Sequence, residues 1–166
     1  APWLADIDVV RRQIRETRTL TSRPFAVNLN MAYPQEERLE ACLEEGAPAI
    51  SFFWHDPGKL VAHARSAGAV VLQTVGTASD ARTAADNGVD IVVAQGWEAG
   101  GHVCGTVATL PLIPAVVDAV GSVPVVAAGG IADARGLAAV LALGAAGAWI
   151  GTRFLASEEA AIHPDY

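Results

Sequence analysis

A chain of 166 residues, 52% of them hydrophobic and 17% charged, is long enough to bury a core and too apolar for a disordered or fibrous class. Its net charge of -7, with Lys59 as the single lysine, argues against nucleic acid or an anionic membrane surface as partner, because phosphate binding needs clustered basic side chains. The apolar runs fall well short of the roughly 18 residues that cross a bilayer, and Cys42 and Cys104 are too few and too far apart for a disulfide scaffold or a thiolate metal site, so a reduced, cytoplasmic setting is expected.

The chain opens at Ala1-Pro2 and carries one methionine, Met31, which reads as a fragment or a processed chain. Its first helical stretch, Asp6 to Thr21, is amphipathic and charged, unlike an apolar leader. Predicted strands then run over Phe25 to Leu29, Ala49 to Phe53, Val70 to Thr74, Ile91 to Gln95, Val123 to Ala128 and Ala148 to Gly151. Between them, apolar residues at three and four spacing mark helices: Leu39, Cys42 and Leu43; Leu60, Val61 and Ala64; Val116, Val117 and Val120. Gly46, Gly68, Gly88, Gly121 and Gly144 follow the helices where a left-handed C-cap is wanted. The strands are apolar nearly throughout, so both faces should be buried in a parallel sheet covered by helices.

Strand starts recur every 20 to 25 residues or so, the repeat of a (β/α) unit, and about six such units fit the length. The expected fold is α/β, a single-domain (β/α)8 TIM barrel represented by a partial barrel that lacks its N-terminal strands. A doubly wound sheet has a similar period, but no G-x-G-x-x-G follows any strand.

One interval breaks the repeat. The gap from Ile91 to Val123 is about ten residues longer than its neighbours, and the excess is the loop Gly96 to Thr106. Glu98, His102 and four glycines in that loop make a poor core and a good site, placed at the carboxyl end of a strand where barrel enzymes keep their chemistry. Cys104 is a weaker nucleophile candidate, since an acidic chain does not promise the electropositive setting a thiolate needs. Glu98 either orients His102 or caps the loop.

A second signature lies downstream. Ala127-Ala128-Gly129-Gly130-Ile131 closes one strand, Asp133 can cap the helix that follows, and Gly151-Thr152-Arg153 closes the next strand. Adjacent in a barrel, two such loops offer glycine N–H groups, and Thr152 a hydroxyl, to one phosphate. Taken singly, either loop could be glycine used for tight turns and close packing. Arg153 either meets the anion or pairs with a carboxylate at the rim. Asn28 and Gln95 put amides near the carboxyl ends of buried strands and must find partners in backbone or ligand. Trp54 and His55, like Gln73 and Thr74, end strands facing the same rim and either line a substrate pocket or pack. His63 and His163 are expected to be solvated.

As a set, Gln95-Gly96-Trp97-Glu98-Ala99-Gly100-Gly101-His102, Pro124 to Ile131 and Gly151-Thr152-Arg153-Phe154 resemble the nitronate monooxygenase (2-nitropropane dioxygenase-like) family, with similarity from Arg23 to Leu155. That resemblance implies an FMN-binding (β/α)8 barrel that oxidises small nitronates or nitroalkanes with O2, giving a carbonyl compound and nitrite. It implies that Asn28, Gln95 and Gly100, beside Gly101, contact the isoalloxazine and ribityl parts of FMN. Gly129, Gly130 and the run Trp149-Ile150-Gly151-Thr152 would hold the phosphate, and His102 would match the active-site histidine. Trp149 departs from the family, which commonly has Gln there, so that contact survives only if it uses backbone. An imidazole near neutral pKa suits this substrate, binding the nitronate anion when protonated or taking the α-proton of a nitroalkane when not.

Two rival readings remain at this level. An FMN- and NADH-dependent enoyl reductase has nearly the same motif segments and would use the same barrel. A flavin- or phosphate-binding module without turnover would follow if missing strands left open edges that seek a partner, and a homo-oligomer is compatible with either.

Overall fold

The computed structural model describes residues 6–160. His163, expected to be solvated, lies outside the described residues. The fold is α/β, with six strands hydrogen-bonded in chain order, β1 (Ala26–Asn30), β2 (Ala49–Phe53), β3 (Val70–Val75), β4 (Ile91–Gln95), β5 (Val125–Ala128) and β6 (Gly147–Trp149). Helices α1 (Ile7–Leu20), α2 (Glu36–Glu44), α3 (Lys59–Ser66), α4 (Ala78–Asp86), α5 (Thr109–Val120) and α6 (Ala134–Ala142) punctuate them, and a short 3-10 turn, Thr152–Ala156, follows β6. This is the βα repeat of a TIM barrel, present as six units. The chain divides into two compact units, one of Ala1–Thr74 with Thr83–Val92, the other of Val75–Arg82 with Val93–Tyr166.

In the first unit β1, β2 and β3 pair in parallel, with Ala26 opposite Ala49 and Phe52 opposite Gln73. Leu29, Ile50, Phe52 and Val71 are fully buried, as strands covered on both faces should be. Val10 and Ile14 form the buried stripe of α1, and Leu39 and Cys42 that of α2. The outer rims of these two helices are joined by ion pairs, Arg11 to Glu44 at 2.5 Å and Arg15 Nε to Glu45 at 2.8 Å, while Arg18 donates to the Gly46 carbonyl. Such exposed pairs orient α1 more than they stabilise it. The helix is bounded by Asp6, which accepts from the Asp8 N–H at 3.2 Å, and by Thr21, so the amphipathic pattern marks its ends including both caps.

In the second unit β5 pairs in parallel with β6, Val126 opposite Gly147 and Ala128 opposite Trp149. Ile113, Ala127, Ile131, Val140 and Ala145 form the core beneath them. Asp133 caps α6 as expected, accepting from the N–H groups of Arg135 at 3.0 Å and Gly136 at 3.1 Å.

Two strand boundaries differ from the sequence expectation by more than one residue, while β1 shifts by one to Ala26–Asn30 and β3 runs one residue further to Val75. β5 starts at Val125, not Val123, because the Val123 N–H closes the turn after α5 on the Val120 carbonyl and Pro124 has no N–H to give a ladder. β6 covers Gly147–Trp149 and neither Ile150 nor Gly151; it lies at the end of the strand order and is only half-buried, so the chain leaves the sheet early. The five glycines expected at helix ends all have positive φ, from +62° at Gly121 to +96° at Gly144.

Candidate active site

The second unit holds a cavity of about 630 Å³ lined by Gln95, Gly100, Gly129, Gly130, Trp149, Ile150, Gly151 and Thr152, with Glu98, Ala99, Ala128, Ile131, Ala132, Arg153 and Ala156 completing it. The strand ends explain this gathering: β4 delivers Gln95, β5 delivers Ala128 and the Gly129-Gly130 turn, and β6 delivers Trp149 and the Gly151-Thr152 turn. Gly129 at φ +107° and Gly130 at φ +68° take a backbone conformation that a side chain would strain, and this turns main chain rather than side chain toward the cavity. Gly151 has open space where a Cβ would stand.

Among the described residues, two charged side chains line the cavity, Glu98 and Arg153. The Glu98 carboxylate is turned to Thr109, accepting its backbone N–H at 2.8 Å and its hydroxyl at 2.9 Å, and these bonds hold its pKa below the usual carboxylate value. Arg153 forms no ion pair with another described residue, so of its two expected roles the rim pair finds no partner there. An engaged acid, a guanidinium with no ion pair among the described residues and glycine walls fit an anionic group such as a flavin phosphate.

The loop after β4 is fastened along its length. Gly96 N–H donates to the Ala128 carbonyl at 2.9 Å and Trp97 N–H to Val107 at 2.9 Å. Gly100 lies against Thr152 so closely that an added Cβ would sit 2.1 Å from its hydroxyl oxygen. Gly105 meets Gly76 backbone to backbone, and a Cβ on Gly76 would fall 2.5 Å from the Gly105 Cα. Between these points the Gln95 amide donates to the His102 carbonyl at 3.0 Å and accepts from the Cys104 N–H at 3.3 Å. Gly101, at φ +75°, and His102 are exposed in this loop and stand outside the cavity lining. Cys104 is exposed as well, with its Sγ 3.6 Å from the Gln95 oxygen; desolvation raises its pKa, the wrong direction for a nucleophile. Thr109, which ties the loop to α5 and whose one hydroxyl proton is shared between Glu98 and the Gly129 carbonyl 3.1 Å away, belongs to no sequence motif.

The other expected residues lie in the first unit. Asn28 is half-buried in β1. Its neighbour Asn30 is the buried amide there, accepting from the Ala32 N–H at 2.9 Å. Trp54 and His55 follow β2 with φ of +60° and +47°, a left-handed pair that bulky residues rarely adopt. Gln73, 4% exposed, donates weakly to the His55 carbonyl at 3.4 Å and leaves its own Oε1 without a partner among the described residues. His63 is exposed as expected and pairs with Glu40 at 2.5 Å.

Known proteins place this arrangement. The family model for nitronate monooxygenase matches residues 30–165. The chain is 46% identical over 92% of its length to a (3aS,4S,5R,7aS)-5-hydroxy-7a-methyl-1-oxo-octahydro-1H-indene-4-carboxyl-CoA dehydrogenase of Rhodococcus jostii, covering 42% of that protein. It is 38% identical to a probable nitronate monooxygenase of Staphylococcus saprophyticus, over 79% of this chain and 40% of that one. The structure of FabK from Thermotoga maritima superposes with a TM-score of 0.93 at 40% identity, over 97% of this chain and 51% of the other. The chain thus spans under half the length of these curated relatives. It belongs to the nitronate monooxygenase family and carries six βα units of a TIM-barrel fold.

Proposed function

We propose that the second unit holds FMN and serves an enzyme that oxidises alkyl nitronates with O2 to a carbonyl compound and nitrite. The observation that carries this reading is the cavity onto which Gly129, Gly130, Gly151, Thr152 and Arg153 converge, next to the tethered loop that bears His102. The phosphate of FMN would lie against the Gly129-Gly130 and Gly151-Thr152 turns with Arg153 as its counter-charge. Gln95 and Gly100, beside Gly101, would face the ribityl and ring portions. Trp149 and Ile150 line the same cavity, and the backbone of that run, not the Trp149 side chain, would serve the phosphate. Once bound, the flavin would accept electrons from the substrate and pass them to O2.

His102 does the work on the substrate side. Exposed at the loop, its imidazole would bind the nitronate anion when protonated, or take the α-proton of a neutral nitroalkane when not. The chain's net charge of -7 supports a small molecule as substrate over nucleic acid or an anionic membrane. Among the described residues no helix is long and apolar enough to cross a membrane.

A second reading rests on the Rhodococcus jostii relative, which acts as a CoA-thioester dehydrogenase by name. A thioester carbonyl acidifies its α-proton as a nitro group does, so the same histidine and flavin would serve; NADH-dependent reduction of an enoyl thioester is this chemistry run backward. Replacing His102 by Ala separates catalysis from cofactor binding. The variant should keep its flavin and lose about 100-fold or more in kcat/KM for the nitronate; a change of only a few-fold would remove His102 from the reaction.

A further inference from the structure

We propose that Gln95 is a positioning residue for His102, acting through the loop backbone, and this rests on the reading that His102 handles the substrate. Gln95 is the last residue of β4, 8% exposed. Both ends of its carboxamide are committed to one three-residue stretch: Nε2 donates to the His102 carbonyl at 3.0 Å, and Oε1 accepts from the Cys104 N–H at 3.3 Å. This is how one residue of a parallel strand straddles a residue of its neighbour, bonding to the carbonyl before it and the N–H after it. The side chain therefore stands in for a strand and holds Val103 between its two bonds, fixing the backbone from which the His102 imidazole projects.

The need for such a clamp follows from the loop's composition. Gly100 and Gly101 precede His102 and Gly105 follows it, so local backbone preference does little to set its position. The Gly105–Gly76 approach fixes one side and the Gly100–Thr152 approach the other, and Gln95 bonds the span between them. Because the amide is anchored on a buried strand, it brings the rigidity of the sheet to a reactive residue on a mobile type of segment. A displacement of about 1 Å at such a group is enough to cost on the order of 100-fold in rate.

A cycle of variants in the flavin-loaded protein tests this. Gln95→Leu removes both bonds, and Gln95→Glu keeps the acceptor for Cys104 but puts a carboxylate against the His102 carbonyl. With FMN in excess, Gln95→Leu should lower kcat at least about 10-fold with KM changed less than about threefold. Gln95→Glu should be impaired at neutral pH and recover as pH falls, because the protonated carboxyl can again donate to the His102 carbonyl. If Gln95→Leu does not fold, Gln95→Glu, of nearly the same shape, supplies the comparison through its pH profile. In a His102→Ala background the Gln95 substitution should change kcat by less than about twofold, since there is no imidazole left to position. A full loss multiplied onto His102→Ala, activity restored to Gln95→Leu by excess FMN, or a flat pH profile for Gln95→Glu would overturn the proposal. A His102→Ala variant that remains active would instead sink the reading beneath it.

Discussion

The Glu98 carboxylate receives both the backbone N–H and the hydroxyl of Thr109, at 2.8 and 2.9 Å, across eleven residues of chain. Helix α5 begins after Ala108, which has no side chain to cap it, so Glu98 serves as the cap from a distance. The same Thr109 hydroxyl lies 3.1 Å from the Gly129 carbonyl, joining the loop after β4 to the turn after β5. Glu98→Gln should lower stability by about 0.5–1 kcal/mol in urea unfolding, a small figure because the group is exposed. The sign with pH is fixed: Glu98 has a folded pKa below its unfolded value, so its contribution is complete above the ordinary carboxylate range and fades as pH falls through the depressed value. The gap between wild type and Glu98→Gln should therefore narrow in acid.

Gly100 and Thr152 make a second contact, and it borders the proposed flavin site. A Cβ at position 100 would stand 2.1 Å from the Thr152 Oγ1 and 3.3 Å from its Cβ. Gly100→Ala should weaken FMN retention at least about 10-fold, read by flavin fluorescence on dilution, because the loop and the turn after β6 must separate. Adding Thr152→Ala removes the closest atom and should recover part of the loss. Undiminished retention in Gly100→Ala would break the link between this contact and the flavin site.

The two thiols should report burial separately. Cys42 is fully buried and desolvation pushes its pKa up to about 11, whereas Cys104 is exposed with a pKa raised less. Alkylation of the native protein near pH 8 should modify Cys104 slowly and leave Cys42 untouched until the chain unfolds. Equal labelling of both in the native state would contradict the packing of α2.

The left-handed Trp54–His55 pair stores strain of about 1–3 kcal/mol per residue at the end of β2. His55→Gly accommodates φ +47° freely and should raise the thermal midpoint, the relief offset in part by the entropy glycine loses on folding. Such strain persists where function demands a geometry, so the same variant should lose kcat/KM as it gains stability. Improved stability with unchanged kinetics would mark the pair as structural.

Patterns that repeat along the chain were legible before the structure. Amphipathic spacing bounds α1 at Asp6 and Thr21, apolar runs place all six strands, and glycines mark helix ends because only a Cβ-free residue adopts their backbone cheaply. The cavity residues from Gln95 to Thr152 were legible as a set because their motif segments sit at strand ends. What stayed hidden depends on contacts between distant positions. Glu98 had two open roles until Thr109 appeared beside it, and the Gly76–Gly105 approach leaves no trace in either local sequence. Trp54 and His55 carry no residue type that announces positive φ. The Gln73 Oε1, without a partner among the described residues, could not be told from a satisfied amide without knowing what surrounds it.

Anaerobic mixing of the flavin-loaded protein with a small alkyl nitronate, with an acyl-CoA thioester and with NADH, each alone, tests the central claim most directly. Nitronate oxidation predicts that the nitronate bleaches the flavin absorbance, that NADH does not, and that admitting O2 restores the oxidised spectrum as nitrite appears. Bleaching by the thioester or by NADH, with the nitronate inert, would contradict it and assign the site to thioester chemistry.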